Sequence, residues 1–86
     1  MNHRLSRHVT REMAMRGIGP EIVEEVLCHP QQVVAERDDL IACQSQVRFE
    51  DGRLFLVRVI VNPLADPAVV VTVYRTSKIE KYWRTP

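Results

Sequence analysis

The sequence predicts an α+β domain in which two N-terminal helices pack on a small antiparallel sheet of three to four strands, in the order ααββββ. Two observations support this prediction. Apolar residues recur at helical spacing as far as residue 28, and runs rich in β-branched residues follow from residue 33. A chain of 86 residues is long enough for one small core, so we treat residues 1–86 as a single domain.

The first predicted helix begins after Ser6 and ends near Arg16. Ser6 is a favourable N-cap residue, Val9 and Met13 lie one turn apart on an apolar stripe, and Gly17 follows as a stop signal.

The second predicted helix begins with Gly19 and Pro20 and ends before Pro30. Proline suits the first helical position, and Glu21 then places a carboxylate near the positive end of the helix dipole. The predicted buried face consists of Ile22, Val23, Val26 and Leu27.

Four strands are predicted downstream, over residues 33–34, 40–49, 53–61 and 69–75. The loop before the last strand, residues 62–68, contains two prolines. After that strand, Ser77 and Glu80 match a capping box, which predicts a short terminal helical turn that begins at Ser77.

The turn Glu50-Asp51-Gly52 allows two hairpin registers. A three-residue turn with left-handed Gly52 pairs Arg48 with Leu54 and Gln44 with Arg58, whereas a two-residue turn places Arg58 opposite Ser45 on a mainly apolar face. We favour the three-residue turn. It gathers Gln44, Gln46, Arg48 and Arg58 on one face and directs Val47, Phe55, Val57 and Val59 to the helices.

Composition and motifs exclude several functional classes. The chain has no Gly-rich phosphate loop, no paired-cysteine zinc pattern, no His-Glu-x-x-His and no nucleophile elbow. No run of residues is long and apolar enough for a membrane span or a signal core, so we expect a cytoplasmic protein with no membrane contact. In a reducing compartment Cys28 and Cys43 stay thiols, and we expect both to be small buried hydrophobes.

The net charge of +1 hides an uneven distribution. Four arginines against one glutamate give residues 1–17 a charge of +3, residues 18–39 carry −5, and residues 64–86 carry +2. If the two basic ends meet in space they form a surface suited to phosphate. The alternative is charges scattered over a solvated surface.

His8 is the candidate general base. It lies at the start of the first predicted helix between Arg7 and Arg11, surroundings that favour the neutral imidazole. The alternatives are a surface histidine without a role, or a metal ligand together with Glu12 and the Cys28-His29 pair.

A second candidate cluster lies on the sheet. If Val71 and Val73 face the helices, strand alternation turns Thr72 and Tyr74 outward, and Arg58 can join them. A guanidinium, a phenol and a hydroxyl on one face can bind phosphate, although such residues also occur as ordinary half-exposed strand positions.

The two ends of the chain resemble the small bacterial proteins of the domain of unknown function 4258 family. The opening block is Ser6-Arg7-His8-Val9 with Arg11, Met13 and Arg16-Gly17-Ile18, followed by Val23, Val26-Leu27 and Pro30; the closing block runs from Val70 through Tyr74 to Ile79, with Lys81-Tyr82. The resemblance implies a fold similar to RelE- and colicin-type ribonuclease toxins, which cut RNA without a metal. It also implies that His8 is the acid or base and that Arg16, Thr72 and Tyr74 lie in motif-bearing blocks.

These observations lead to the hypothesis of a metal-independent ribonuclease without a cofactor. His8 would take the proton of an RNA 2′-hydroxyl, Arg58 or Arg75 would stabilise the phosphorane-like transition state, and Tyr74 would donate to the leaving oxygen. The predicted catalytic residues are therefore His8, Arg58 and Tyr74, and the predicted substrate-binding residues are Arg11, Arg16, Arg48, Thr72, Arg75 and Lys78.

The alternative is a non-catalytic module that binds RNA or a protein, an inactive toxin-like scaffold acting through a partner. Outward-facing Leu54, Leu56 and Ile60 would then offer an exposed apolar surface. The candidate partners are RNA, an antitoxin-like inhibitor protein and a second copy in a homodimer.

Overall fold

The computed structural model describes residues 2–85, which form a five-stranded mixed sheet with helices on it. The elements are β1 (His3–Leu5), α1 (Arg7–Met15), α2 (Pro20–Cys28), β2 (Gln32–Ala35), β3 (Ile41–Arg48), β4 (Leu54–Asn62), β5 (Ala68–Thr76) and α3 (Ile79–Tyr82). The α+β class and the order of the two long helices and the four later strands are as predicted.

The strand order is β1-β5-β4-β3-β2, so the prediction of a purely antiparallel sheet of three to four strands is corrected. The additional strand is β1, which pairs in parallel with the start of β5, from His3 opposite Ala68 to Leu5 opposite Val70. Three mostly polar residues carry no alternating pattern, so their sequence did not indicate a strand.

Both long helices are capped as the sequence predicts. The Ser6 hydroxyl accepts a hydrogen bond from the Val9 N–H at 3.1 Å, and α2 begins with Pro20 at its first position. At the end of α1, Gly17 has φ +64°, and the Ile18 N–H donates to the Met13 carbonyl at 2.9 Å. This is the Schellman arrangement, in which glycine reverses the chain between α1 and α2.

One face of the sheet and the two helices enclose the main core. Its buried members are Val9, Met13, Ile18, Val23, Val26, Leu27, Cys43, Val57, Val59, Val61, Val70 and Val73. A β-bulge between Ile60 and Val61 leaves Val71 without a partner on β4, and Val71 is exposed. Of the two valines considered for the helix side, Val73 is in the core, whereas Val70 takes the place considered for Val71. Thr72 and Tyr74 turn to the outer face.

The β3–β4 hairpin adopts the three-residue turn. Arg48 pairs with Leu54, Gln44 pairs with Arg58, and Gly52 has φ +82°. Burial requires this register, because it places Val57 and Val59 in the core and groups the polar side chains of both strands on the outer face.

The outer face of the sheet is covered rather than open. Leu56 is fully buried and Ile60 nearly so, which contradicts the expectation of an exposed apolar surface there. The Gln44 side chain donates to the Tyr82 carbonyl, so the segment of α3 and the residues after it lies on this face. The helix begins one residue later than the capping box predicts: Lys78 is the N-cap without a side-chain bond, and the Thr76 hydroxyl accepts from the Lys78 N–H.

The two cysteines differ from the expectation that both are buried. Cys43 is completely buried in the core, whereas Cys28 is exposed at the end of α2; both are free thiols. The Cys28 thiol donates to the Glu24 carboxylate at 3.3 Å.

We predict that Gly52→Ala lowers the free energy of unfolding by about 1 to 2 kcal/mol, because a side chain in the left-handed conformation clashes with its own backbone. An added Cβ would meet no other atom within 4 Å, so urea unfolding would measure the conformational effect alone. Gly52→Asn is the control and should lose less, because asparagine tolerates this conformation. Equal stability of wild type and Gly52→Ala would contradict the left-handed turn.

Candidate functional site

Three polar side chains follow one another along one face of α1 and its C-cap at intervals of four residues. The His8 Nε2 atom lies 3.4 Å from Glu12 Oε2, and Arg16 Nη1 lies 3.0 Å from the same oxygen. The His8 and Arg16 side chains are 70% and 43% exposed, while that of Glu12 is only 13% exposed. The largely buried Glu12 carboxylate thus holds the exposed His8 imidazole and the exposed Arg16 guanidinium next to each other.

The same carboxylate connects α1 to β5. The Thr72 hydroxyl donates to both Glu12 oxygens, at 2.9 and 3.1 Å, and Arg16 Nη1 donates to the Val73 carbonyl at 2.6 Å. The pairing of β1 with β5 ends at Val70. Beyond that residue, side chains of α1 rather than β1 contact this edge of β5. We call His8, Glu12, Arg16 and Thr72 the α1–β5 site.

A second polar cluster lies on the outer sheet face around Arg58, which is only 3% exposed. Its Nε donates to Gln44 Oε1 at 2.8 Å, Nη1 to the Tyr74 hydroxyl at 2.7 Å and Nη2 to Glu36 Oε1 at 2.6 Å. The ring of Tyr82 lies 4.3 Å from the guanidinium carbon. We call Arg58, Gln44, Tyr74, Glu36 and Tyr82 the Arg58 cluster.

The Arg58 cluster fastens the C-terminal segment to the sheet. The Gln44 amide donates both to Gln32 Oε1 at 2.8 Å and to the Tyr82 carbonyl at 3.3 Å, and Gln32 exchanges two hydrogen bonds with the backbone of Arg84. Each of the three nitrogens of the buried Arg58 guanidinium donates a hydrogen bond, which offsets the cost of burying its charge. Burial also raises the pKa of the Tyr74 hydroxyl, which keeps its proton at neutral pH.

The two clusters adjoin along β5, because Thr72 and Tyr74 are two residues apart and share the outer face. Beyond them, an open groove follows the end of α1, lined by Arg16, Gly17, Tyr74 and Arg75. The basic N-terminal and C-terminal segments thus meet here, which is one of the two arrangements that the charge distribution left open.

The structure brings together some of the predicted site residues and separates others. His8, Arg16 and Thr72 lie in the α1–β5 site, and Tyr74 and Arg75 line the adjoining groove, whereas Arg58 is enclosed in its own cluster. Arg11 is exposed on α1, Lys78 is exposed before α3, and Arg48 is at the β3–β4 hairpin, where its Nη1 donates to the Gly52 carbonyl.

Sequence reasoning missed the role of Glu12, which it weighed only as a metal ligand. The four-residue spacing of His8, Glu12 and Arg16 was a usable signal, because residues at i and i+4 are neighbours on a helix. Glu36 and Tyr82 were missed as partners of Arg58, since only the folded sheet brings them together. Within residues 2–85, no three His, Cys, Asp or Glu side chains converge in a way that could hold a metal ion.

Comparison with known families assigns the chain to one of them. The model of the family described as Domain of unknown function (DUF4258) matches residues 5–75, and the protein belongs to this family. Comparisons with curated proteins and with solved structures each gave no match. No helix within residues 2–85 has the length and apolar character needed to cross a membrane.

We predict that Arg58→Ala lowers the free energy of unfolding by about 3 kcal/mol, because it removes the buried partner of half-buried Glu36 and takes a hydrogen-bond donor from the Gln44 and Tyr74 oxygens. Chemical denaturation of the variant measures this loss. Arg53→Ala is the matched control: Arg53 is exposed and also stacks on a ring, 5.0 Å from that of Phe55. Similar losses for the two variants would contradict the structural role of the Arg58 cluster.

Proposed function

We propose that the protein is a metal-independent endoribonuclease of toxin type whose chemistry takes place at the α1–β5 site. The observation that supports this proposal is the arrangement of an exposed imidazole next to a sheltered carboxylate, with an accessible guanidinium on the same oxygen. An imidazole oriented by a carboxylate is a common general base, and a neighbouring cation can bind the phosphate it acts on.

In the proposed reaction, His8 removes the proton from an RNA 2′-hydroxyl. With Nε2 turned toward Glu12, the lone pair on Nδ1 takes this proton, and the Glu12 carboxylate stabilises the imidazolium that forms. The 2′-oxygen forms a bond to the adjacent phosphorus and the bond from phosphorus to the 5′-oxygen breaks. The products are a 2′,3′-cyclic phosphate and a 5′-hydroxyl.

We propose a different residue as the cation at the transition state. The sequence offered Arg58 or Arg75, but the donors of Arg58 are engaged by Gln44, Tyr74 and Glu36 within a buried cluster. Arg16 is the better candidate, because it is 43% exposed and lies directly beside Glu12. A guanidinium there offers donors to the phosphate oxygens as negative charge develops on them.

Tyr74 remains the candidate acid for the leaving oxygen. Burial raises the pKa of its hydroxyl, which therefore carries a proton to donate, and Arg58 Nη1 lies 2.7 Å from the phenolic oxygen. Arg58 would then act through Tyr74 by stabilising the tyrosinate, and proton exchange with solvent would restore both Tyr74 and His8.

A toxin-type ribonuclease would meet its substrate in the cytoplasm and be restrained by an antitoxin-like protein. We base both on the RelE-type fold that the family resemblance implies. The basic residues of α1 that would face RNA include Arg7 and Arg11, which are exposed one turn apart beside His8.

We predict that wild-type protein cleaves RNA in the presence of a chelator and that His8→Ala lowers the rate at least about 100-fold, the usual contribution of a general base. Electrophoresis and mass spectrometry of the fragments measure the rate and identify the cyclic phosphate. His29→Ala is the matched control, because His29 forms a similar exposed i,i+4 pair with Glu25 at 3.7 Å on α2. Intact RNA with wild type and all variants would contradict the proposal and favour a binding module. Equal losses of rate for His8→Ala and His29→Ala would show that His8 is not the general base.

We also predict that single-stranded DNA of the same sequence survives conditions that cleave RNA, because DNA lacks the attacking 2′-hydroxyl. The two strands, labelled with different fluorophores, can be incubated in one tube and separated on a denaturing gel. Cleavage of DNA at a comparable rate would rule out attack by the 2′-oxygen.

A further inference from the structure

We propose that Arg75 binds a second phosphate of the strand that is cleaved, so that the substrate is a single-stranded oligoribonucleotide rather than a dinucleotide. This inference rests on the proposed function, because it extends the substrate beyond the bond at His8. Three observations support it: the position of the Arg75 guanidinium, the availability of its charge and the two grooves that Arg75 lines.

Two aromatic rings fix the Arg75 guanidinium. Its central carbon lies 4.3 Å from the centroid of Phe49 and 4.7 Å from that of Phe55, and the two rings meet edge to face at 5.4 Å. A guanidinium that stacks on rings keeps the N–H groups along its edge free to donate, and such an edge matches two oxygens of a phosphate. The side chain is thereby ordered before any ligand binds, which lowers the entropy lost on binding.

The charge of Arg75 is available for an anion. Among residues 2–85, no carboxylate lies within ion-pair distance of this guanidinium, in contrast to Arg16 and Arg58, which are paired with Glu12 and Glu36. Gly17 contributes to this opening, because a Cβ at that position would lie 3.5 Å from Arg75 Nη2. The glycine that reverses the chain after α1 thus also leaves the guanidinium uncovered on that side.

Arg75 lines two grooves, one on each side of it. The first runs along the end of α1 past Arg16 and Tyr74, and the second runs between the start of α2 and the hairpin that carries Arg48 and Phe49. A strand that leaves the α1–β5 site along the first groove therefore reaches Arg75, and the three carboxylates that line the second groove, those of Glu21, Glu50 and Asp51, disfavour its continuing there.

The position of Arg75 makes it a site for a different phosphate. Arg16 Nη1 lies 3.0 Å from the Glu12 oxygen that His8 faces, so Arg16 is placed for the phosphate attacked at His8. No ion pair joins Arg75 to Glu12, and the Arg75 guanidinium lies instead against the rings of Phe49 and Phe55, beside Gly17. Arg75 is half-buried, so a flexible single strand reaches it more easily than the stiff backbone of a duplex.

The direct test is the salt dependence of binding, measured by fluorescence anisotropy with a labelled six-nucleotide single-stranded RNA. The His8→Ala protein is used throughout, so that the probe stays intact. Each phosphate contact to a single strand contributes about 0.7 to the slope of log K against log salt concentration, so adding Arg75→Gln should reduce that slope by about 0.7. Arg75→Lys, which keeps the charge, should retain the slope.

The matched control is Arg53→Gln. Arg53 also stacks on the ring of Phe55, at 5.0 Å, but lines neither groove, and its loss should leave the slope unchanged. Thermal unfolding of each variant identifies any loss of fold. An unchanged slope in folded Arg75→Gln, or an equal decrease in Arg53→Gln, would overturn the proposal.

A second measurement separates this proposal from the proposed function. With His8 present, Arg75→Gln should raise KM for the six-nucleotide RNA by a larger factor than KM for a dinucleoside monophosphate, which has a single phosphate. If neither RNA is cleaved but the salt slope still decreases, the proposed function fails and the phosphate site stands. If both are cleaved and Arg75→Gln affects them equally, the second phosphate site is wrong.

Discussion

The geometry of the candidate site depends on the Glu12 carboxylate. It accepts one bifurcated hydrogen bond from the Thr72 hydroxyl, binds Arg16 at 3.0 Å and faces His8 at 3.4 Å, so one side chain joins three parts of the site. Each of these contacts contributes little free energy when it is exposed to water. The Glu12 side chain is only 13% exposed, so its charge is screened less than that of a surface residue. The same bonds that dock α1 on β5 also orient the imidazole.

This docking is possible because the edge of β5 changes partner along its length. From Ala68 to Val70 the edge is paired with β1, and beyond the bulge at Val71 it is open to the side chains of α1. The bulge also shifts the alternation of β5, so that Val70 and Val73 enter the core while Thr72 and Tyr74 reach the outer face. On that face the Arg58 cluster holds the C-terminal segment, which explains why a guanidinium predicted to bind phosphate is instead enclosed by protein.

Local patterns predicted much of the fold. Ser6, Pro20 and the Asp51-Gly52 turn mark element boundaries through interactions within a few residues, and the hairpin register followed from the requirement to bury one face. β1 is too short to have a pattern, the bulge at Val71 interrupts an unbroken run of valines, and α3 depends on contacts with distant strands. In the candidate site, His8 and Thr72 were identified separately, but their connection through Glu12 joins residues 60 positions apart in the sequence, and only the packing of α1 on β5 reveals it.

Membership of the DUF4258 family does not by itself assign an activity, so the proposed chemistry depends on whether Glu12 acts through His8. The most direct test is a double-mutant cycle on RNA cleavage with wild type, Glu12→Gln, His8→Ala and the double variant. Glutamine keeps the size of the side chain and an oxygen that accepts from Thr72, but it lacks the charge that stabilises the imidazolium. The account predicts that Glu12→Gln slows the wild-type reaction at least about tenfold and has no further effect when His8 is already alanine. The same fold-decrease in both backgrounds would show that Glu12 does not act through His8 and would contradict the account.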